Sequence, residues 1–246
     1  MHDRYHDSAG VPWEGRQFES NTWSDDDGSA PIALANALAA KPLDKVQLFQ
    51  ALKHSRLLIP LVANLGEQGV GAHGQMVDKS ADLAIVAVST PDNKTAIPAF
   101  TSVAEMTQWN SQARPVPVSA AKVALAAVSE GHERVVIDAG SMALAIRRPA
   151  LAMLAQGLDW LPPHQNPRVR QLVSIAALTQ PLITSVDLFD ADPAGRLEKA
   201  ELLIQLGLKP GIMPEQLRQL LEAFNKELQS QEFLSLVDSI ALKLVA

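Results

Sequence analysis

The residues Gly69-Val-Gly71-Ala-His-Gly74 spell G-x-G-x-x-G, the loop that cradles a dinucleotide pyrophosphate when it opens a helix directly. Only Gln75 to Ala81 separate this loop from the next apolar run, too few residues for a crossover helix. The spacing therefore predicts a hairpin loop and no nucleotide cofactor. Asp190-Ala-Asp192-Pro-Ala-Gly195-Arg-Leu-Glu198-Lys-Ala-Glu201 places acids and a glycine where a calcium loop needs them. Against that chemistry, Ala194 brings no oxygen, Pro193 stiffens the turn, and both flanks read as strands. A solvated hairpin tip is expected there. His2, Asp3, His6 and Asp7 have a spacing that ligates metal on a helix, but a charged terminus has nothing to hold it helical. Neither a metal nor a cofactor is expected.

Among the hydroxyls, Ser102 and Ser119 stand where helix caps belong, and no serine lies in a G-x-S-x-G elbow. The histidines are scattered and give no triad order. Catalytic residues are thus unassigned. Asp138 closes an apolar strand before Ala139-Gly140, a place that presents a functional group or simply ends a turn. Arg147-Arg148-Pro149 is a compact basic group that either grips an anion or sits exposed beside acids, and the exposed reading is favoured. Asp138, Arg147 and Arg148 are binding candidates on these grounds.

The elements that must position these residues are short. Hydrophobic residues make up 47% of the 246, yet only 4% are aromatic, so a packed core is available without large aromatic anchors. Net charge is −6 with the acids dispersed, which argues against a nucleic-acid partner. With no cysteine, disulfides and thiolate sites are excluded. No run approaches the ~20 apolar residues of a membrane span, and MHDRYHDSAG has no apolar leader, so a cytoplasmic address and no membrane partner are expected.

Residues 1–28 are polar and turn-rich, predicting a disordered or loosely docked arm carrying Trp13, Phe18 and Trp23. Ser29 is placed to cap a helix through Ile32, Leu34, Ala35 and Leu38, and a second helix runs through Leu43, Val46, Leu48, Phe49 and Leu52. Arg56 to Ala63 reads as a strand, with Pro60 requiring an edge or bulge. Asp82–Ser89 and Thr95–Thr101, joined by Thr90–Lys94, read as a hairpin. Helices after Ser102 and Ser119, the latter burying Val123, Leu125, Ala126 and Val128, alternate with a strand at Val116 and Val118 and strands at 134–138 and 144–147. Pro149 begins another helix. The proline-rich stretch 157–167 divides a domain at 29–157 from an α+β domain at 168–246. In the second, strands are expected near 169–177, 183–189 and 199–207, then a helix from Pro214 to about Gln229. Residues 233–244 fit a helix and a strand equally. The fold class is α+β: a mixed, largely antiparallel sheet packed by helices, followed by a smaller α+β domain.

The order of these runs resembles the SseB family. Leu57-Leu-Ile-Pro-Leu-Val62, Asp82-Leu-Ala-Ile-Val-Ala-Val88, Ile97-Pro-Ala-Phe-Thr-Ser-Val-Ala-Glu-Met-Thr-Gln-Trp109 and Val135-Val-Ile-Asp138-Ala-Gly140 carry the likeness, which covers roughly 31–155. An SseB-type C-terminal domain matches in outline. The most distinctive piece delivers Phe100 straight into a helix bearing Trp109, which adds these two aromatics to the binding candidates. The resemblance implies a mixed sheet with helices and brings no catalytic residues. The family's name, enhanced serine sensitivity, points towards amino-acid metabolism.

Together these features favour a non-catalytic binding or regulatory module acting through protein contacts, its partner a second copy or another protein. A small-molecule binder or enzyme with an inter-domain cleft, linked to serine metabolism, is the alternative.

Overall fold

The computed structural model describes residue 23, residues 25–64 and residues 82–245. The glycine loop at 69–74 and the His2–Asp7 cluster lie outside the described residues. The chain is α+β, and its described residues form three sheets with helices packed on them.

Helix α1 (Ile32–Ala39) follows Pro31, with no side-chain cap. Ser29 does not cap it, contrary to expectation: its carbonyl instead accepts from Arg56 Nη2. Helix α2 (Lys45–Lys53) is capped by Asp44, which accepts from the backbone N–H groups of Val46 and Gln47, and it buries Leu48, Phe49 and Leu52 on one face. Strand β1 (Arg56–Asn64) pairs antiparallel with β2 (Asp82–Ile85) on one flank. Its other flank pairs with β5 (Arg114–Ser119).

β1 is therefore central in its sheet and not an edge. Pro60 is accommodated because Leu58 exchanges backbone bonds with Phe100, on the flank away from β5. By alternation Pro60 also turns its nitrogen to that flank, between the Phe100 bridge and the start of the β2 pairing at Leu61, where no donor is required.

The expected hairpin at 82–101 divides between sheets. Only β3 (Val88–Ser89) pairs back on β4 (Thr95–Ala99), while β2 joins β1. β4 then runs parallel to β6 (Arg134–Ile137), which pairs antiparallel with β7 (Leu144–Arg147). The crossover from β4 to β6 contains α3 (Val103–Trp109), β5 and α4 (Ala120–Ser129). Ser102 and Ser119 cap these helices as the sequence predicts. α4 buries Ala120, Val123, Ala124 and Ala127, whereas Leu125 and Val128 are exposed. Small residues are the ones that face inward because α4 lies close against α5 (Arg148–Ala155). One apolar cluster joins α1, α2, α4 and α5 to the strands.

Pro163–Gln165 form a 3-10 turn leading into α6 (Pro167–Leu178). Residues 169–177 are thus helical and not a strand. Asn166 caps that helix, Pro167 fits its first turn, and Val169, Val173, Ala176 and Ala177 line one buried face. Strands β8 (Ile183–Asp190), β9 (Leu202–Leu208) and β10 (Ile240–Val245) make the third sheet, with β9 in the middle. Between β9 and β10 come α7 (Pro214–Glu227) and α8 (Gln231–Leu236). The ambiguous stretch 233–244 resolves as both elements, the end of α8 and then β10. A second apolar cluster gathers α6, α7, α8 and this sheet. Among the described residues no helix is long and apolar enough to cross a membrane.

Candidate functional site

β6 and β7 are short apolar strands that end in charge. Arg134 opens one, Arg147 closes the other, and antiparallel pairing sets them directly opposite each other. Both guanidinium groups are buried and meet carboxylates from beyond residue 190. Arg134 Nη2 is 2.9 Å from Asp238 Oδ2 and also 2.9 Å from Asp92 Oδ2. Arg147 donates to Asp192 Oδ2 at 2.6 Å, to Asp238 Oδ2 at 3.1 Å and to the Lys199 carbonyl at 2.7 Å. Burial works against the charge on Arg147, but Asp192 and Asp238 outweigh it and raise the guanidinium's pKa.

Arg147 is accordingly not the exposed basic residue that was expected; only Arg148 is, and it donates to the Leu234 carbonyl at 2.8 Å. The 190–201 segment departs from expectation in the same way. It is no solvated tip: Asp192 and Glu201 are buried, and the Gly195 carbonyl accepts from Ala145 N–H at 2.7 Å. Asp192 also receives the backbone N–H groups of Arg196 and Leu197. Its carboxylate is therefore fully engaged by protein donors.

Glu201 accepts from the Asp238 backbone N–H at 2.7 Å. Burial, reinforced by the nearby Asp238 charge, pushes its carboxyl up to about 7, against the pull of that hydrogen bond, Arg147 and Lys45. Asp238 Oδ1 is buried without a partner.

Beside this ionic seam, Lys45 on the first turn of α2 reaches Asp190 and the Asp192 carbonyl, each at 2.8 Å. A cleft of about 480 Å³ opens there, walled by Leu43, Asp44 and Lys45 on one side and by Pro162, His164 and Asp190 on the other. His164 is held below its ordinary pKa by burial, so it is neutral at pH 7. Leu43 and Lys45 also wall an inner pocket of about 40 Å³, lined by Phe49, Ile146, Trp160, Arg147 and Glu201. The Trp160 ring lies 5.5 Å from Phe49, and its indole N–H is buried without an acceptor. Among the described residues no group of histidines and acids is arranged to hold a metal.

The remaining candidates lie at the opposite end of β6. Asp138 is buried with φ +50°, and its two oxygens accept from the Thr101 N–H at 2.8 Å and the Thr101 hydroxyl at 2.9 Å. Burial raises its pKa despite these bonds, and the charge on Glu105 adds to the rise. The Phe100 and Trp109 rings pack at a tilt beside it, their centroids 5.2 Å apart, and Arg56 ties the Thr101 carbonyl to Asp26 and Ser29. The structure thus brings Asp138, Phe100 and Trp109 together and sets Arg147 and Arg148 apart from them.

Asp138 closes this corner. Asp138→Ala will cost about 1–3 kcal/mol in urea unfolding, because it strands the Thr101 N–H and puts alanine at positive φ. Asp138→Asn will recover most of that. Equal losses from both would show that the carboxylate's charge, not its hydrogen bonding, matters.

A family model described as the SseB protein N-terminal domain matches residues 32–153. The chain belongs to the SseB family. The match spans α1 to α5, and so holds the Asp138 corner, Lys45 and both buried arginines of this SseB chain. The acids that meet those arginines at 192 and 238 lie beyond it. No curated protein and no solved structure matches the chain.

Sequence reasoning missed Lys45, Arg134, Asp192, Glu201, Asp238 and Trp160 as a group. Two signals pointed there: an arginine at the end of each of two wholly apolar strands, and the acid spacing at 190–201.

Proposed function

We propose that this SseB-family chain is a non-catalytic binding and regulatory module whose small-molecule ligand sits in the cleft between residues 29–157 and 168–246, acting as two domains. The observation that carries this reading is the cleft itself. It draws one wall from the first segment and the other from the connecting 157–167 stretch with Asp190 of the second, has the volume of an ordinary ligand site, and shares Leu43 and Lys45 with a mostly apolar inner pocket. The unpaired indole N–H of Trp160 calls for an acceptor, since leaving such a donor bare costs roughly 1–3 kcal/mol. The part of the ligand that passes Leu43 and Lys45 into the inner pocket accordingly presents an oxygen to Trp160 and a small apolar group to Phe49, while the rest lies in the cleft. The charged groups nearby hold the segments to each other, Lys45 to Asp190 and Arg147 to Asp192. That supports binding rather than bond-making. A ligand bridging both walls would fix their relative placement, which is how occupancy becomes a signal.

A thermal-shift series with amino acids including serine, short-chain carboxylates and amides tests this. At 100 times its Kd a ligand adds ~2.7 kcal/mol of stability, a rise of several degrees. At least one compound should raise the melting temperature of the wild type, and Trp160→Phe, which keeps the ring but removes the N–H, should abolish the rise. A response that survives in Trp160→Phe, or no response across the series, would overturn the reading.

A further inference from the structure

Among the described residues the third sheet carries helices on one side only. Leu188, Leu202, Ile204 and Leu206 point into the cluster formed with α6, α7 and α8. Side chains alternate along a strand, so the opposite face presents the intervening residues. The pairing register arranges them in rows across the three strands. Phe189, Leu203 and Ala241 form one row; Asp187, Gln205 and Lys243 form the next. None of these belongs to a core cluster among the described residues, and Phe189 is 45% exposed.

We propose that this face docks on the same face of a second copy of the chain, about a two-fold axis running along β9. Rotation about that axis lays β8 of one copy over β10 of the other and keeps each row in place. The apolar row then covers its own counterpart, and Asp187 lies over the partner's Lys243 while Lys243 lies over the partner's Asp187. Rotation about an axis across the strands would instead set Asp187 against Asp187, which like charges oppose. The charge pattern therefore selects one closed, isologous arrangement.

Three strands about 4.8 Å apart and six residues long cover roughly 300 Å². Stable dimers bury about 800 Å² per partner, so this association is weak and reversible and weakens further with salt. It stands apart from the cleft and does not depend on a ligand there.

Sedimentation equilibrium of the full chain over low to high micromolar concentration tests it. The wild type should move from monomer towards dimer. Asp187→Lys and Lys243→Asp each place like charges together twice and should weaken association by about tenfold or more. Mixing these two variants should restore it, because every facing pair becomes Lys against Asp, and the double swap should dimerise alone. Both residues of the swap are on the surface, so circular dichroism should show unchanged folding. A wild type that stays monomeric throughout, or single variants that associate as the wild type does, would overturn the proposal.

Discussion

Replacing Arg147 by methionine will lower the unfolding free energy by about 3–5 kcal/mol, whereas Arg148→Met next to it will change stability by less than about 0.5 kcal/mol. The two residues are neighbours of the same type in opposite surroundings. Arg147 is 6% exposed and neutralises Asp192 and Asp238, so its removal leaves buried carboxylates short of a cation. Methionine fills much of the volume, which confines the loss to charge and hydrogen bonds. Arg148 is exposed and loses one bond to a carbonyl that water can replace. Urea unfolding of both variants measures the contrast. A loss below about 1 kcal/mol at Arg147 would mean that the seam opens to water once the arginine is gone, and the buried network would then contribute little.

The second large effect depends on pH. Glu201 has a folded pKa of about 7 against an ordinary 4.5. Between those values the folded chain holds a proton at Glu201 that the unfolded chain has released. Unfolding therefore releases that proton, and stability falls as pH rises from 4.5 to 7, then levels. At 1.36 kcal/mol per unit, the shift corresponds to about 3 kcal/mol. Asp26 and Asp92 work in the opposite direction, being held below their ordinary values and losing their contribution as pH falls. The clean quantity is consequently the difference between wild type and Glu201→Gln. That variant should match the wild type near pH 4.5 and exceed it by up to about 3 kcal/mol at pH 8. A difference that stays flat across the range would remove Glu201 as the source. A rise in the wild type's advantage with pH would show that Glu201 is held charged by Arg147 and Lys45.

Much of the first segment could be read residue by residue because its signals are local. Ser102 and Ser119 are caps within three residues of the N–H groups they serve, and β6 and β7 are apolar runs but for the arginine at one end of each. The errors arose where a local pattern was outvoted. Val169, Val173 and Ile175 favour a strand by composition, yet Asn166-Pro167 starts a helix and the four-residue spacing of Val169 and Val173 continues it. Asp82–Ser89 looks like one arm of a hairpin, but β1 offers its first half a longer partner. Leu125 and Val128 were expected inside on hydrophobicity alone; alanines took the buried face because α5 comes too close for larger side chains. The seam was the least legible part. Its members, Lys45, Arg134, Arg147, Asp192, Glu201 and Asp238, are spread along the chain from residue 45 to residue 238, and of these only Asp192 and Glu201 share a local pattern. Besides the acid spacing at 190–201, the hint lay in the arginines at the ends of apolar strands, since a charge there must either reach water or find a counter-charge.

The prolines of β5 have a consequence for how the chain behaves among its own copies. Leu58 turns its backbone groups away from β5, so its opposite number Pro117, and likewise Pro115, turn their nitrogens to the side of β5 where no described strand pairs. That border offers a docking strand no amide hydrogens at two alternate positions. Fibril-like growth from this side is thereby blocked by covalent structure rather than by charge, and it stays blocked whatever the salt or pH.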